Sequence, residues 1–245
     1  MWLPRWLGEA YSRLYVEFGR EVFRLEEVRE TLGVDGSRAR LIAHHLHKRG
    51  ALLIFERSRP RLYRLLSPEN LVLLASGRVE KVSVPQERYV QLIYDVFRAV
   101  DRLVDLTSFV IYGSVARGEA SPTSDLDILV VSDSLKGSLG ERIEFLLTRV
   151  KREVEGELAF LRRRGYYTQV SFYPLKREEA ERAPLLMLDM IEDSVVVYDS
   201  EGFFRGVLDR LRRRLAELGA KRLRSEKGRY WDLKPDYRPL EVIPL

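Results

Sequence analysis

With 245 residues, 45% of them hydrophobic, the chain can bury one large core or two small ones. It has no cysteine, which excludes disulfides, thiolate metal sites and cysteine nucleophiles together, and no apolar run approaches the roughly eighteen residues of a membrane span. The net charge of +5 rests on 34 Arg and only 8 Lys, beside one Asn and three Gln. That profile fits a heat-adapted (thermophilic) source, where ion pairs are favoured and thermolabile amides avoided.

The opening stretch, MWLPRWLGEAYSRLY, lacks the continuous apolar segment of a signal peptide, so a cytoplasmic protein is expected. Leu7, Tyr11, Leu14, Tyr15 and Phe18 repeat at helical spacing, and Leu25 to Leu32 forms a second, shorter helix stopped by Gly33. After the turn at Val34-Asp35-Gly36, Ser37 is placed to cap a third helix that runs through Leu41, Ile42, His45 and Leu46 to Gly50. Ala51 to Phe55 and Arg61 to Leu65 read as two strands around the turn Arg57-Ser58-Arg59-Pro60. Between residues 36 and 66 lie eight Lys or Arg and one acid, Glu56. Localised positive charge of this kind is what a phosphate-bearing partner would meet.

Ser67-Pro68 opens another short helix that ends near Gly77, and residues 77 to 86 read as a linker in which Val79, Val82 and Val84 alternate like an edge strand. A long helix from Glu87 carries Tyr89, Leu92, Ile93, Val96, Val100, Leu103 and Val104 and ends before Thr107. Phe109 to Tyr112 and Ile128 to Val131 are buried-looking strands on either side of a glycine turn and a polar loop. A charged amphipathic helix spans Gly140 to Arg164, with apolar Ile143, Leu146, Leu147, Val150, Val154 and Leu158. Tyr166 to Tyr173 is a third strand, Val195 to Tyr198 a fourth, and Gly202 to Leu218 a last helix.

The chemistry concentrates in GSVARGEASPTSDLD, Gly113 to Asp127. Side chains alternate across a strand, so Asp125 and Asp127 share one face while Leu126 and Ile128 share the other. Two acids this close repel unless a cation lies between them. Gly113 has no Cβ and lets the backbone approach a phosphate oxygen, Ser114 adds a hydroxyl donor, Arg117 can neutralise a polyphosphate, and Ser124 caps or orients the loop before the acids. Together these residues are expected to form a site for an NTP with Mg2+ or Mn2+ on Asp125 and Asp127; a pair of solvated loop carboxylates or a structural Ca2+ site is the alternative.

Strand, Gly-Ser, ten residues and Asp-x-Asp with apolar neighbours resemble the DNA polymerase β-type nucleotidyltransferases, specifically their minimal single-domain branch, over about residues 87 to 200. The resemblance extends to Ala116-Arg117-Gly118 and to the segment from Pro184 through Asp199. It implies an α+β fold: a small mixed β-sheet with helices on one side. It also implies Mg2+-dependent transfer of an NMP from an NTP, with ATP the expected substrate, to a hydroxyl on a protein, an RNA end or a small molecule. Some small relatives are antitoxins that nucleotidylate a toxin partner. The family's third carboxylate, metal ligand and base, belongs on the strand Tyr166 to Tyr173, which has no acid. Gln169 or Ser171 stands there instead. An acid supplied by Asp189, Glu192 or Asp193, a base supplied by substrate or water, and loss of catalysis remain three alternatives.

Helix, helix, turn, helix and basic hairpin resemble a winged helix-turn-helix domain. The resemblance implies nucleic-acid contacts by Arg38, Arg40, His44, Lys48 and Arg49 of the third helix and by Arg57, Arg59 and Arg61 of the wing. The alternatives are packing against a neighbour or dimerisation, so an oligomer is among the expectations. The division that follows is a winged-helix domain over residues 1 to 80, a nucleotidyltransferase domain over 81 to 200, and a C-terminal helix and tail packed on it over 201 to 245. A second function is then a winged-helix regulator whose transferase-like domain is catalytically degenerate and senses nucleotide or dimerises. His44 and His47 are near each other on their helix but read as surface positions, and Tyr230-Trp231 as packing rather than base stacking.

Overall fold

The computed structural model describes residues 3–225 and 228–236. Its N-terminal part begins with α1 (Arg5–Phe18), the two-residue strand β1 (Val22–Phe23), α2 (Leu25–Leu32) and α3 (Gly36–Lys48). β2 (Leu52–Glu56) and β3 (Leu62–Leu65) complete a three-stranded antiparallel sheet in the order β1-β3-β2. The spacing of Leu7, Leu14, Val28, Ile42 and Leu46 makes the three helices amphipathic, and these residues bury together. The N-cap of α3 is Asp35, whose carboxylate accepts from the Ser37 and Arg38 amides, so Ser37 is not the cap. β1 escapes a pattern reading because two residues carry no periodicity.

α4 (Pro68–Ala75) starts as expected at Ser67-Pro68. The linker that follows forms no strand, although Val79, Val82 and Val84 are buried and the Glu80 amide donates to Val197 O. A single 3-10 turn, Glu87–Tyr89, precedes α5 (Val90–Asp101). Then come β4 (Ser108–Tyr112), the short α6 (Gly113–Arg117), β5 (Leu126–Val131), α7 (Leu139–Arg163), β6 (Val170–Leu175), α8 (Arg177–Glu181), α9 (Met187–Asp193) and β7 (Val195–Asp199). After α10 (Phe203–Glu217), β8 (Lys221–Ser225) and β9 (Gly228–Asp232) make a separate hairpin.

The main sheet has the order β6-β5-β4-β7 and is mixed: β4 is antiparallel to β5 and β7, while β6 runs parallel to β5 after the α7 crossover. Helices cover both of its faces, not one. Phe109, Ile111, Leu126, Ile128 and Phe172 pack with α5 and α7, whereas Val110, Leu129, Val131 and Leu175 pack with α8, α9 and α10. β4 and the second half of β5 are therefore apolar on both sides, as doubly covered strands must be. α8 and α9 were hidden because five and seven residues are too short to display a helical period.

The N-terminal sheet continues into this core: Leu53, Phe55, Leu66 and Leu74 belong to the same apolar cluster as α5 and α7. A buried ion pair reinforces the junction. Arg64 of β3 donates to both oxygens of Glu157 in α7, at 2.5 and 2.7 Å, and to Arg20 O, while its guanidinium lies 3.8 Å from the Phe160 ring centroid. Both side chains are 1% exposed, so Arg64 leaves the basic surface inferred from residues 36 to 66.

Candidate functional site

The last residue of β4, Tyr112, pairs with Asp127 of β5, which brings Gly113 against the Asp127 side chain. Gly113 has φ +73°, and a Cβ built there would lie 2.2 Å from Asp127 Oδ2. The position requires glycine twice over, for the backbone angle and for the carboxylate. The chain then enters α6 rather than a simple loop, with Ser114 and Arg117 half-buried on it, and leaves through Gly118 at φ +74°. Arg117 Nε donates to Glu119 Oε2 at 2.9 Å, so the arginine is paired with a neighbouring acid. Ser124 stays in the loop: its amide donates to Ser121 O, and its hydroxyl accepts from the Ser121 amide at 2.9 Å.

Asp125 is exposed and Asp127 half-buried. Burial pushes the Asp127 carboxyl above the usual carboxylate range, and the Asp125 charge adds to it; the Ser171 hydroxyl, donating to Asp127, and the Arg117 charge oppose. Tyr112 is likewise raised, by burial first and then by the Asp127 charge. The parallel register sets Ser171 opposite Asp127, which separates the two residues considered for the third-acid position. β6 starts at Val170, not Tyr166, and Gln169 precedes it, accepting the Leu126 amide through its backbone carbonyl.

The candidate external acids do not complete the set. Glu192 and Asp193 are both paired with Arg222, Asp189 is exposed, and among the described residues no three His, Cys, Asp or Glu side chains gather closely enough to hold an ion. Asp125 and Asp127 are both oxygen donors, the kind of ligand that hard divalent ions take.

The residues proposed for nucleic acid lie elsewhere. Arg38, Arg40, His44 and Lys48 are exposed on α3, Arg49 is half-buried, and Arg57, Arg59 and Arg61 are exposed around the β2–β3 turn. Arg40, His44, His47, Arg61 and Tyr63 line one cleft of about 280 Å³ between α3 and that hairpin. Among the described residues no ion pair involves Arg38, Arg40, Lys48, Arg49, Arg57, Arg59 or Arg61. His47 turns instead toward Glu87, 3.0 Å away. Trp231 packs as expected, donating to Leu188 O, while Tyr230 stays exposed.

Sequence reasoning did not single out Pro85 and Gln86, which touch the loop from outside, or Glu119, which holds Arg117. No local pattern marks them.

Residues 93–185 match the family model described as a nucleotidyltransferase domain. No curated protein matches the sequence. Two solved structures are similar over 52% of this chain and 92% of theirs: a toxin–antitoxin complex with AMP-PNP, at 13% identity and a TM-score of 0.36, and a mutant of the toxin–antitoxin pair MntA–HpeT, at 10% and 0.35. No helix among the described residues is long and apolar enough to cross a membrane.

Proposed function

We propose that the chain transfers an NMP from an NTP, with ATP the first candidate, to an acceptor hydroxyl, at a site formed by Gly113, Ser114, Arg117, Asp125 and Asp127. One observation carries the reading: the Asp127 carboxylate fills the space a Cβ at Gly113 would take, with the exposed Asp125 two residues before it, at the end of the loop that leads into β5. Asp125 and Asp127 would hold a Mg2+ or Mn2+, which would supply positive charge to neutralise the carboxylates and the phosphates. Gly113 leaves room for the Asp127 carboxylate against the backbone, Ser114 would donate its hydroxyl to a phosphate oxygen, and Arg117 would exchange Glu119 for phosphate charge. Ser171 fixes the Asp127 carboxylate through its hydroxyl. The acceptor oxygen forms the bond to the α-phosphorus as the bond to the β-phosphate oxygen breaks and pyrophosphate leaves. Ser171 is no base, so the proton passes to water or to the acceptor's own groups. Position and charge then carry the rate.

The test is Mg2+-dependent labelling from radiolabelled ATP, with candidate acceptor proteins, RNA ends and small alcohols offered in turn. Labelling by an Asp125→Asn, Asp127→Asn double variant at the parent's level would sink the site assignment.

A second reading is favoured by the cleft between α3 and the hairpin: a winged helix-turn-helix reader that brings the transferase to nucleic acid, or that works alone above a degenerate domain. Its support is the set of arginines without carboxylate partners among the described residues. Duplex binding should weaken steeply with salt, because phosphate contacts release counterions. Reversing Arg40 and Arg61 to Glu should abolish it, and unchanged binding would remove this face as the reader.

A further inference from the structure

The Gly118–Ser124 loop delivers Asp125 to the site, yet much of its bonding is internal. Glu119 N reaches back to Ser114 O, and Ser121, Thr123 and Ser124 bond among themselves. From outside, Pro122 O accepts the Tyr167 amide. Another external hold is the side chain of Gln86. Gln86 Nε2 donates to Ala120 O at 2.9 Å, and Ala120 N donates to Gln86 Oε1 at 3.1 Å. The amide thus satisfies both backbone groups of one loop residue, as a neighbouring strand would.

The residues beside Gln86 fix where that amide sits. Pro85 lies against Gly118 so closely that a Cβ there would come within 2.5 Å of Pro85 Cβ. Glu87 Oε2 accepts the Ile54 amide at 2.8 Å, and both its oxygens lie 3.0 Å from His47 Nε2. Val84 and Tyr89 are buried on either side of the three. Pro85-Gln86-Glu87 is therefore a strap, held at one end by α3 and β2 and gripping the loop at the other.

We infer that Gln86 is a positioning residue for the metal–nucleotide site, setting the height of the Gly118–Ser124 loop and hence the distance of Asp125 from Gly113 and Ser114. This rests on the reading of the site given above. Gln86 touches neither phosphate nor ion; it acts through the backbone of Ala120. Without it the loop keeps its internal turn but samples several heights, and the bound geometry must be selected from among them at a cost in affinity.

The experiment uses the full chain with a non-hydrolysable ATP analogue, titrated by calorimetry at several Mg2+ concentrations, together with thermal melts. Gln86→Leu, close in size but unable to bond Ala120, should weaken Mg2+-dependent nucleotide binding by about tenfold, the loss expected for two neutral hydrogen bonds. It should also raise the Mg2+ concentration for half-saturation, while the melting temperature moves by only a few degrees. Gly118→Ala pushes the same strap and loop apart with Gln86 intact and should give the same pair of shifts. A merely structural role would lower the melting temperature and leave the Mg2+ half-saturation of the folded protein alone. If the parent binds no nucleotide with Mg2+, the site reading itself fails. If the parent binds and both variants bind as it does, Gln86 is not a positioning residue. Should Gln86→Leu fold poorly, hydrogen exchange on the parent decides: a fast-exchanging Ala120 amide would overturn the inference.

Discussion

Gly113→Ala is the smallest change that tests the site, and its consequences can be worked from two distances. The added Cβ lies 2.2 Å from Asp127 Oδ2 and 3.1 Å from its Cγ, against an ordinary contact of 3.4 Å or more. The carboxylate must therefore retreat by about 1.2 Å, and as the end of a short side chain it can do so without moving β5. The backbone penalty is separate: a non-glycine residue at φ +73° costs about 1–2 kcal/mol. For a protein of this size each kcal/mol shifts the melting temperature by about 2–4 °C, so a loss of roughly 2–8 °C is expected. The functional loss should be far larger, because a displacement of about 1 Å in a reacting group can cost about a hundredfold. Melting curves and calorimetric binding of an ATP analogue with Mg2+ read the two effects apart. Adding Asp127→Ala to Gly113→Ala removes the clash and leaves the backbone penalty, so the double variant should be less destabilised than the sum of the singles. A Gly113→Ala protein that binds nucleotide as tightly as the parent would refute the reasoning.

Glu157→Gln leaves Arg64 buried beside a neutral partner and should destabilise by about 3–5 kcal/mol in denaturant unfolding, while Arg64→Met with Glu157→Leu should recover most of it; a loss below 1 kcal/mol would show the pair to be idle. Ser171→Asp sets a third carboxylate opposite Asp127 and should lower the melting temperature without divalent ions but increase the stabilisation that Mg2+ gives. Equal Mg2+ stabilisation in variant and parent would deny Ser171 the third-acid position. The Arg142 guanidinium donates to both Glu179 oxygens and holds that carboxyl down at about 2, below its ordinary 4.5. A depressed acid stabilises above its unfolded value and loses that contribution as pH falls through the folded one. The melting-temperature gap between parent and Glu179→Gln should therefore be full at pH 7, narrow below pH 4.5 and close near pH 2; a gap unchanged with pH would exclude the pair as its cause.

What was legible from the sequence follows from which signals are local. That Gly113 would lie against Asp127 was legible because a strand, a glycine turn and a second strand are signals of neighbouring residues. The start of α4 at Ser67-Pro68 and the buried stripe of α7 were legible for the same reason. The choice between Gln169 and Ser171 was not, because alternation along a strand starting at Tyr166 puts both on one face, and only the start of β6 at Val170 and its parallel register with β5 put Ser171 opposite Asp127. Helices on the second sheet face were missed where they were short, and Arg64 was read as surface because its partner lies 93 residues away.

The same distinction bears on how the two halves of the chain relate. Residue 80 marks a change of composition, from a basic module to an apolar helix and strands, but the packing runs straight across it. Glu56 of β2 accepts the Tyr166 hydroxyl at 3.1 Å, Glu21 pairs with Arg164, and Phe55 meets the rings of Phe160 and Tyr166. These contacts hold the segment that leads through Tyr167 and Gln169 to Ser171, one side of the site. The strap at Pro85-Gln86-Glu87 ties α3 and β2 to the loop on its other side. Both approaches to Asp125 and Asp127 are thus anchored in the N-terminal part of the chain.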